Sequence, residues 1–317
     1  MEELFAQVYS NGALLIMWGA LLVHLILPFP REAHPVTLWH KFAELLAEKV
    51  NLSHSHSQSI ISGTLAWLLM LVPSLLVLLA LKPLVWKVEF FEMALLLLAI
   101  DWRNTDTFSR RFTQAMARED KESARQLLSP FVNRSTDSLS LLGLGKAGAE
   151  TLIMAYGRNV VCVLFWYAIG GGIAAFIYRL TMELARAWSP SRQKFYPFGL
   201  PVVKTVAMME FVPMRIFSLF IMIGSRAASA WQLIRQQAAS WPLPGPAWLL
   251  VAVGAKLELS LGGPAMYHKK KSVRVKIGGR IAPAAIHLSQ INSMLIKRMS
   301  AWILIQSLLL LAIYQGI

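Results

Sequence analysis

Apolar residues in this chain gather into long, nearly unbroken runs, not into the alternating or every-third-and-fourth pattern of a soluble domain. The first run, Asn11 to Pro28, approaches the ~20 residues that cross a bilayer. It follows Glu2 and Glu3, without the basic start and small-residue cleavage site of a signal peptide. The segment is therefore expected to be retained. A second run, Ile60 to Leu81, contains Pro73, which should kink it. A third, Leu84 to Ile100, follows after only Lys82 and Pro83, so the two form a tight hairpin. Lys87, Glu89 and Glu92 leave this third run as either a tilted span or a re-entrant segment. Further runs cover Val160 to Leu180, Val202 to Gly224 around Pro213, and Ala301 to Ile317. Ala247 to Gly263 is apolar but too short and too polar to count as a span.

Between Asp101 and Asn159 the pattern changes. Phe108, Phe112, Ala115, Met116, Leu127, Leu128 and Phe131 recur at helical spacing, with Asp106 as an N-cap and Pro130 as a stop. This predicts an amphipathic helix on the membrane or against the bundle, then a second short helix from about Thr136.

Composition agrees with the runs. Apolar residues make up 56% and charged residues 15% of the 317, against about a quarter charged in soluble proteins. Mean hydropathy is +0.52. Disorder, coiled coil and collagen-like chains are excluded, and a single cysteine, Cys162, permits no internal disulfide.

The net charge of +14 fits cytoplasmic loops better than nucleic acid, which is not expected as a partner. Basic residues concentrate in 102–159 and 225–299, so both segments should face the cytoplasm. Arg186, Arg192, Lys194 and Lys204 disagree, falling in a loop that this topology puts outside. The expected fold is an all-α polytopic membrane helix bundle, one domain over 1–317, with about six spans and cytoplasmic amphipathic helices. The lipid bilayer is the first partner, and an oligomer is left open.

Candidate chemistry is sparse. Lys269, Lys270, Lys271, Arg274 and Lys276 follow Leu261-Gly262-Gly263-Pro264. They read as a phosphate site with glycine amides, or as a polybasic loop on anionic lipid. No GxxxxGK[ST] loop exists. His54 and His56 lack HExxH spacing, so no metal site is expected; His34-Pro35 reads as a helix exit. Glu210 and Arg215 flank Pro213 inside an apolar run, where charges are costly and mark a polar interior. They can pair with each other, with charges on another span, or with a ligand. Glu150 and Thr151 are open to capping or ligand contact, and Gly170, Gly171 and Gly172 to close helix approach.

Several stretches together resemble one family. His34-Pro35-Val36, Val132-Asn133-Arg134-Ser135-Thr136, Ala149-Glu150-Thr151, Val253-Gly254-Ala255, Leu261 to Pro264 with Tyr267, and Lys276-Ile277-Gly278 are similar, in order, to motifs of CobD/CbiB-type cobalamin-biosynthesis proteins. The resemblance implies an inner-membrane, multi-pass protein with a corrinoid or other small anionic ligand. It also implies the family reaction, an ATP- and Mg-dependent amide ligation of cobyric acid with aminopropanol or its phosphate. In a cavity near Glu150, Arg134, Glu210 and the glycine pair, Arg134 and Lys256 would contact anionic groups. Gly262 and Gly263 would let backbone approach, and Glu150 would orient the ligand.

The departures matter equally. Ile153 to Asn159, Tyr178 to Met182, and Val206 with Ala207 stand where the family carries acidic motifs. Most carboxylates that would hold Mg are missing, which leaves catalytic residues unassigned. Met209 to Arg215, and Leu164-Phe165-Trp166 before Gly170, resemble the AmpE-type membrane proteins. That likeness implies a non-enzymatic sensory or accessory role, with Glu210 and Arg215 as a mutually dependent pair.

Overall fold

The computed structural model describes residues 12–27, 35–51, 55–267 and 270–314. Glu2, Glu3, His34, His54, His268, Lys269 and the last residues of the C-terminal run lie outside them. The helices are α1 (Gly12–Ile26), α2 (Pro35–Val50), α3 (His56–Leu81), α4 (Val88–Ala99), α5 (Trp102–Ala117), α6 (Lys121–Leu128) and α7 (Leu141–Tyr156). They continue as α8 (Val163–Ala187), α9 (Leu200–Met222), α10 (Ala227–Gln237), α11 (Pro244–Lys256) and α12 (Ala285–Tyr314). Four short strands lie before α12: β1 (Ser260–Gly262), β2 (Ala265–Tyr267), β3 (Lys270–Ser272) and β4 (Lys276–Gly278).

The class is an all-α membrane helix bundle. Among the described residues, four stretches are long and apolar enough to cross a membrane: His56–Leu84, Leu141–Ala187, Leu200–Met222 and Ala285–Ala312. The first apolar run forms a helix of 15 residues, and the third run a helix of 12, with Glu92 buried in it. At 1.5 Å per residue the latter is only about 18 Å long, well under the ~30 Å hydrocarbon core. The helix α3 continues through Pro73 and exposes Leu65, Leu69, Val72 and Leu76, an apolar surface suited to lipid. The final helix starts 16 residues earlier than the apolar run predicts, because Ala285 to Ser300 is helical despite its polarity.

The expected single amphipathic helix is two. The chain breaks at Glu119 (φ 56°), and Asp120 then caps α6 by accepting from Ser123 N at 3.0 Å. Asp106 is not an N-cap; it lies inside α5 and pairs with Arg110 at 2.8 Å. The apolar positions serve as predicted: Phe108, Phe112, Ala115 and Met116 are buried. Phe112 packs at Gly148 of α7, where a Cβ would strike its ring.

Two compact units divide the chain. One comprises 1–102, 162–206 and 301–317; the other comprises 103–161 and 207–300. In the first unit, α4 packs on α8 and α1, while α2 lies along α8 and α3. Ala43, Ala47 and Ala66 let these backbones approach around Trp188, Phe198 and Leu184, and Trp188 Nε1 donates to the Ala43 carbonyl at 2.8 Å. Helix α8 is broken at Gly170 and Gly171, the latter at φ 66°. There Glu92 of α4 accepts from the Gly172 N–H, and Lys82 pairs with the same carboxylate at 2.9 Å. The glycines therefore permit a break as well as the expected close approach.

In the second unit, α7 packs against α6, α11 and β1. Strand β1 pairs antiparallel with β4 (Ser260 opposite Gly278, Gly262 opposite Lys276), and β2 pairs with β3.

Candidate functional site

The Leu261 to Pro264 motif is a strand end forced into a turn. Gly262 (φ 72°) and Gly263 (φ 90°) occupy the left-handed region that favours glycine. A Cβ on Gly262 would collide with the Val275 carbonyl oxygen and sit 3.1 Å from the Trp241 ring. Gly262→Ala is expected to lose at least the 1–3 kcal/mol or so of a strained φ, with the collision added. Gly263→Ala meets nothing nearer than 3.8 Å and should lose less. Thermal unfolding of the two variants side by side checks the order; equal losses would show that the collision is relieved.

This turn presents its backbone to α7, which starts at a Ser140 cap (Gly143 N to Ser140 Oγ, 3.3 Å). Glu150, buried at 8% exposure, accepts from Gly262 N at 2.8 Å. Arg274 grips the same carboxylate through both terminal nitrogens, at 3.1 and 3.3 Å. Its Nε donates to the Gly263 carbonyl at 3.2 Å, and its guanidinium lies over Trp241 at 5.2 Å. Arg134 approaches Glu150 Oε2 at 3.7 Å. One turn earlier on α7, Lys146 donates to Ser260 Oγ at 3.1 Å. Lys276, opposite Gly262 in the ladder, runs beside Gly263.

One carboxylate thus faces two guanidinium groups and an N–H, and Lys146 and Lys276 flank the adjoining strand end. Such a carboxylate is an acceptor held in place, poorly suited to act as a free base. The surplus positive charge and the open glycine backbone suit an anion. A divalent cation does not fit, because Glu150 is the cluster's one carboxylate among the described residues and a metal would have to displace arginines from it.

Of the residues singled out by sequence, Arg134, Glu150, Gly262 and Gly263 come together. Thr151 lies half-buried on the next position of α7, outside the cluster. Lys256 is elsewhere: its Nζ donates to the carbonyls of Met222 (3.4 Å), Ile223 (3.0 Å) and Ser225 (2.6 Å), closing the end of α9. Burial lowers its pKa, and the nearby Arg298 and Arg226 add to the effect.

Glu210 and Arg215 do not pair. Glu210, fully buried, is bound by Arg158 in a two-point contact at 2.7 and 3.1 Å. Five residues make about one and a half helical turns, so Glu210 and Arg215 leave α9 in opposed directions. Arg215 instead lies over Phe211 at 3.7 Å and Trp248 at 4.9 Å.

Arg274 was singled out in sequence only as one of five cations after the glycine motif, and Arg158 lay unremarked in a basic segment. Sequence reasoning also missed Glu183, which lies within α8 and meets His40 and Arg179 (both 2.9 Å) and Arg186 (3.4 Å). The spacing Arg179, Glu183, Arg186 is the i,i+4 and i,i+3 pattern that would have revealed it. Arg186 and Arg192 are tied to the C-terminal end of α8, where Arg192 donates to the carbonyls of Arg186 and Ala187. Helix-end electrostatics therefore accounts for two of the cations that conflicted with the expected topology. Among the other described histidines, His24 accepts from Trp102 N at 3.1 Å, 78 residues away, and His287 from the nearby Ala284 N at 3.1 Å.

Comparison with known proteins adds a family. The model described as CobD/Cbib protein matches residues 17–295. The cobalamin biosynthesis protein CobD of Stutzerimonas stutzeri is 28% identical over 295 residues, covering 90% of this chain and 94% of that one. Its counterpart in Chromobacterium violaceum is 27% identical over 82% of this chain and 84% of its own. That of Leptospira interrogans is 25% identical, over 82% and 87%. No solved structure matches.

Proposed function

The chain belongs to the CobD/Cbib family of cobalamin-biosynthesis proteins, and from that premise we propose that it binds an anionic corrinoid-pathway ligand without performing amide ligation. The observation that carries this reading is the Glu150 cluster, where Arg134, Lys146, Arg274 and Lys276 outnumber a carboxylate already committed to arginine. Such a site holds and orients a phosphate or carboxylate. It offers no spare acid–base group and no set of carboxylates for Mg on a nucleotide. The absence of acidic residues at 153–159, 178–182 and 206–207 supports the same conclusion. We place the protein in the bacterial inner membrane with several crossings, and the polar 102–140 and 225–284 segments, which lie outside the stretches able to cross, in the cytoplasm. The cluster would then take its ligand from that side.

A strain lacking the synthase and expressing this chain at normal membrane levels is expected not to grow on cobyric acid. The purified protein is expected to bind cobyric acid or a phosphorylated amino alcohol saturably. Lys276→Met, which removes an exposed cation, should weaken that binding about tenfold. Growth of the strain would refute the non-ligase reading, and absence of binding to either compound would refute the binding role.

A further inference from the structure

Non-helical backbone inside a membrane-crossing stretch is tolerated where it lines a cavity, and the break in α8 does so. Ala168 and Gly171 border a cavity of about 370 Å³, a volume within the range of small-ligand sites. Its other walls come from α1, the start of α4 and Leu310 of α12. All of these belong to the first compact unit, whereas the Glu150 cluster belongs to the second.

The walls are largely apolar, with Ile16, Val88 and Leu310 among them, but Glu89 and Glu92 open onto the same space. Glu92 is already occupied: Lys82 pairs with one oxygen at 2.9 Å, and the Gly172 N–H takes the other. Glu89 is exposed at the cavity's edge and makes no hydrogen bond or ion pair among the described residues. The start of α4 offsets about half a charge of Glu89, and the carbonyl end of the first half of α8 restores about as much. The cavity therefore carries roughly one net negative charge within apolar walls.

A second acceptor lies nearby. Gln306 is buried, gives its Nε2 to the Leu164 carbonyl at 2.6 Å, and leaves its Oε1 without a hydrogen-bond partner. Leu164 and Gln306 each stand four residues before a lining residue, Ala168 and Leu310, so this oxygen is about one helical turn from the cavity wall. A buried acceptor without a donor is costly until a donor reaches it. The Tyr167 hydroxyl offers no such donor, because it is given to the Ala13 carbonyl at 2.7 Å.

We propose that this cavity binds a small hydrophobic ammonium ion, its head at Glu89 and its body against Ile16, Val88 and Leu310. An ammonium group carries donors only, and the unengaged polar groups of the site are acceptors. A divalent metal does not fit, because a single free carboxylate is too few oxygen ligands. An inorganic monovalent cation would leave the apolar walls without a partner. The site is independent of the anionic ligand assigned to the Glu150 cluster.

Thermal unfolding of the full chain in detergent tests this, with cyclohexylammonium, cyclohexanol and sodium ion as probes at neutral pH and matched ionic strength. Cyclohexylammonium should raise the unfolding temperature saturably, and cyclohexanol, of nearly the same shape, should not. Glu89→Gln should weaken the ammonium effect about tenfold. Glu122→Gln, which removes an exposed acid outside the cavity, should leave it unchanged. Equal stabilisation by the ammonium and the alcohol would overturn the proposal, and that comparison needs no variant to fold. Undiminished affinity in Glu89→Gln would overturn it too. Sodium ion acting as well as cyclohexylammonium would mark the occupant as an inorganic cation and overturn the organic assignment.

Discussion

Replacing Glu150 with leucine should destabilise the protein by about 3–5 kcal/mol, the usual consequence of removing one partner from a buried ion pair. Arg134 and Arg274 have side-chain exposures of only 8% and 17%, so neither can turn fully to water. They would be left as two like charges beside an N–H of Gly262 that has lost its acceptor. Glu150→Gln keeps an acceptor for Gly262 and removes the charge, so its loss should be smaller. Arg274→Met added to Glu150→Leu should recover part of the deficit. Thermal unfolding in detergent would order the variants as wild type, Gln, double and Leu, with the middle two close. A Glu150→Leu protein as stable as wild type would mean that the cluster is not joined through this carboxylate.

The second large effect is expected at Arg158 and Glu210. Glu210→Gln or Arg158→Met alone should each cost about 3–5 kcal/mol, and the double change markedly less than their sum. Glu210 is completely enclosed and Arg158 is 28% exposed, so the glutamate side carries the larger penalty. Arg215→Met should behave independently, adding to either single change without rescue. Membrane abundance and unfolding temperature of the set decide the point. Rescue of Glu210→Gln by Arg215→Met, with none by Arg158→Met, would reinstate the pairing that sequence spacing suggested.

That pairing shows where the sequence ceases to be legible. Glu210 and Arg215 stand close in the chain and within one apolar run, so each is the other's obvious partner. The true partner, Arg158, is 52 residues away, inside a stretch whose charges look like an ordinary basic loop. Long-range pairing leaves no local signal. The spans were readable because lipid imposes length and apolarity on every crossing helix. The Glu150 site was half readable: Arg134, Glu150, Gly262 and Gly263 fall in motif-like stretches. Arg274 was hidden among five basic residues that sequence alone treats alike. Lys256 misled for a different reason. It adjoins the Val253-Gly254-Ala255 stretch, but the helix end it serves belongs to a segment more than thirty residues earlier. The third apolar run was ambiguous in sequence; it is a 12-residue helix whose Glu92 meets the break in α8, a long-range contact that leaves no mark on the local pattern.

That break bears on how the protein is made. The carboxylate of Glu92 precedes the Gly172 amide it serves by 80 residues of chain. Translation therefore delivers the acceptor before the helix start that uses it, and the bond between them can close only after the intervening 80 residues have been made.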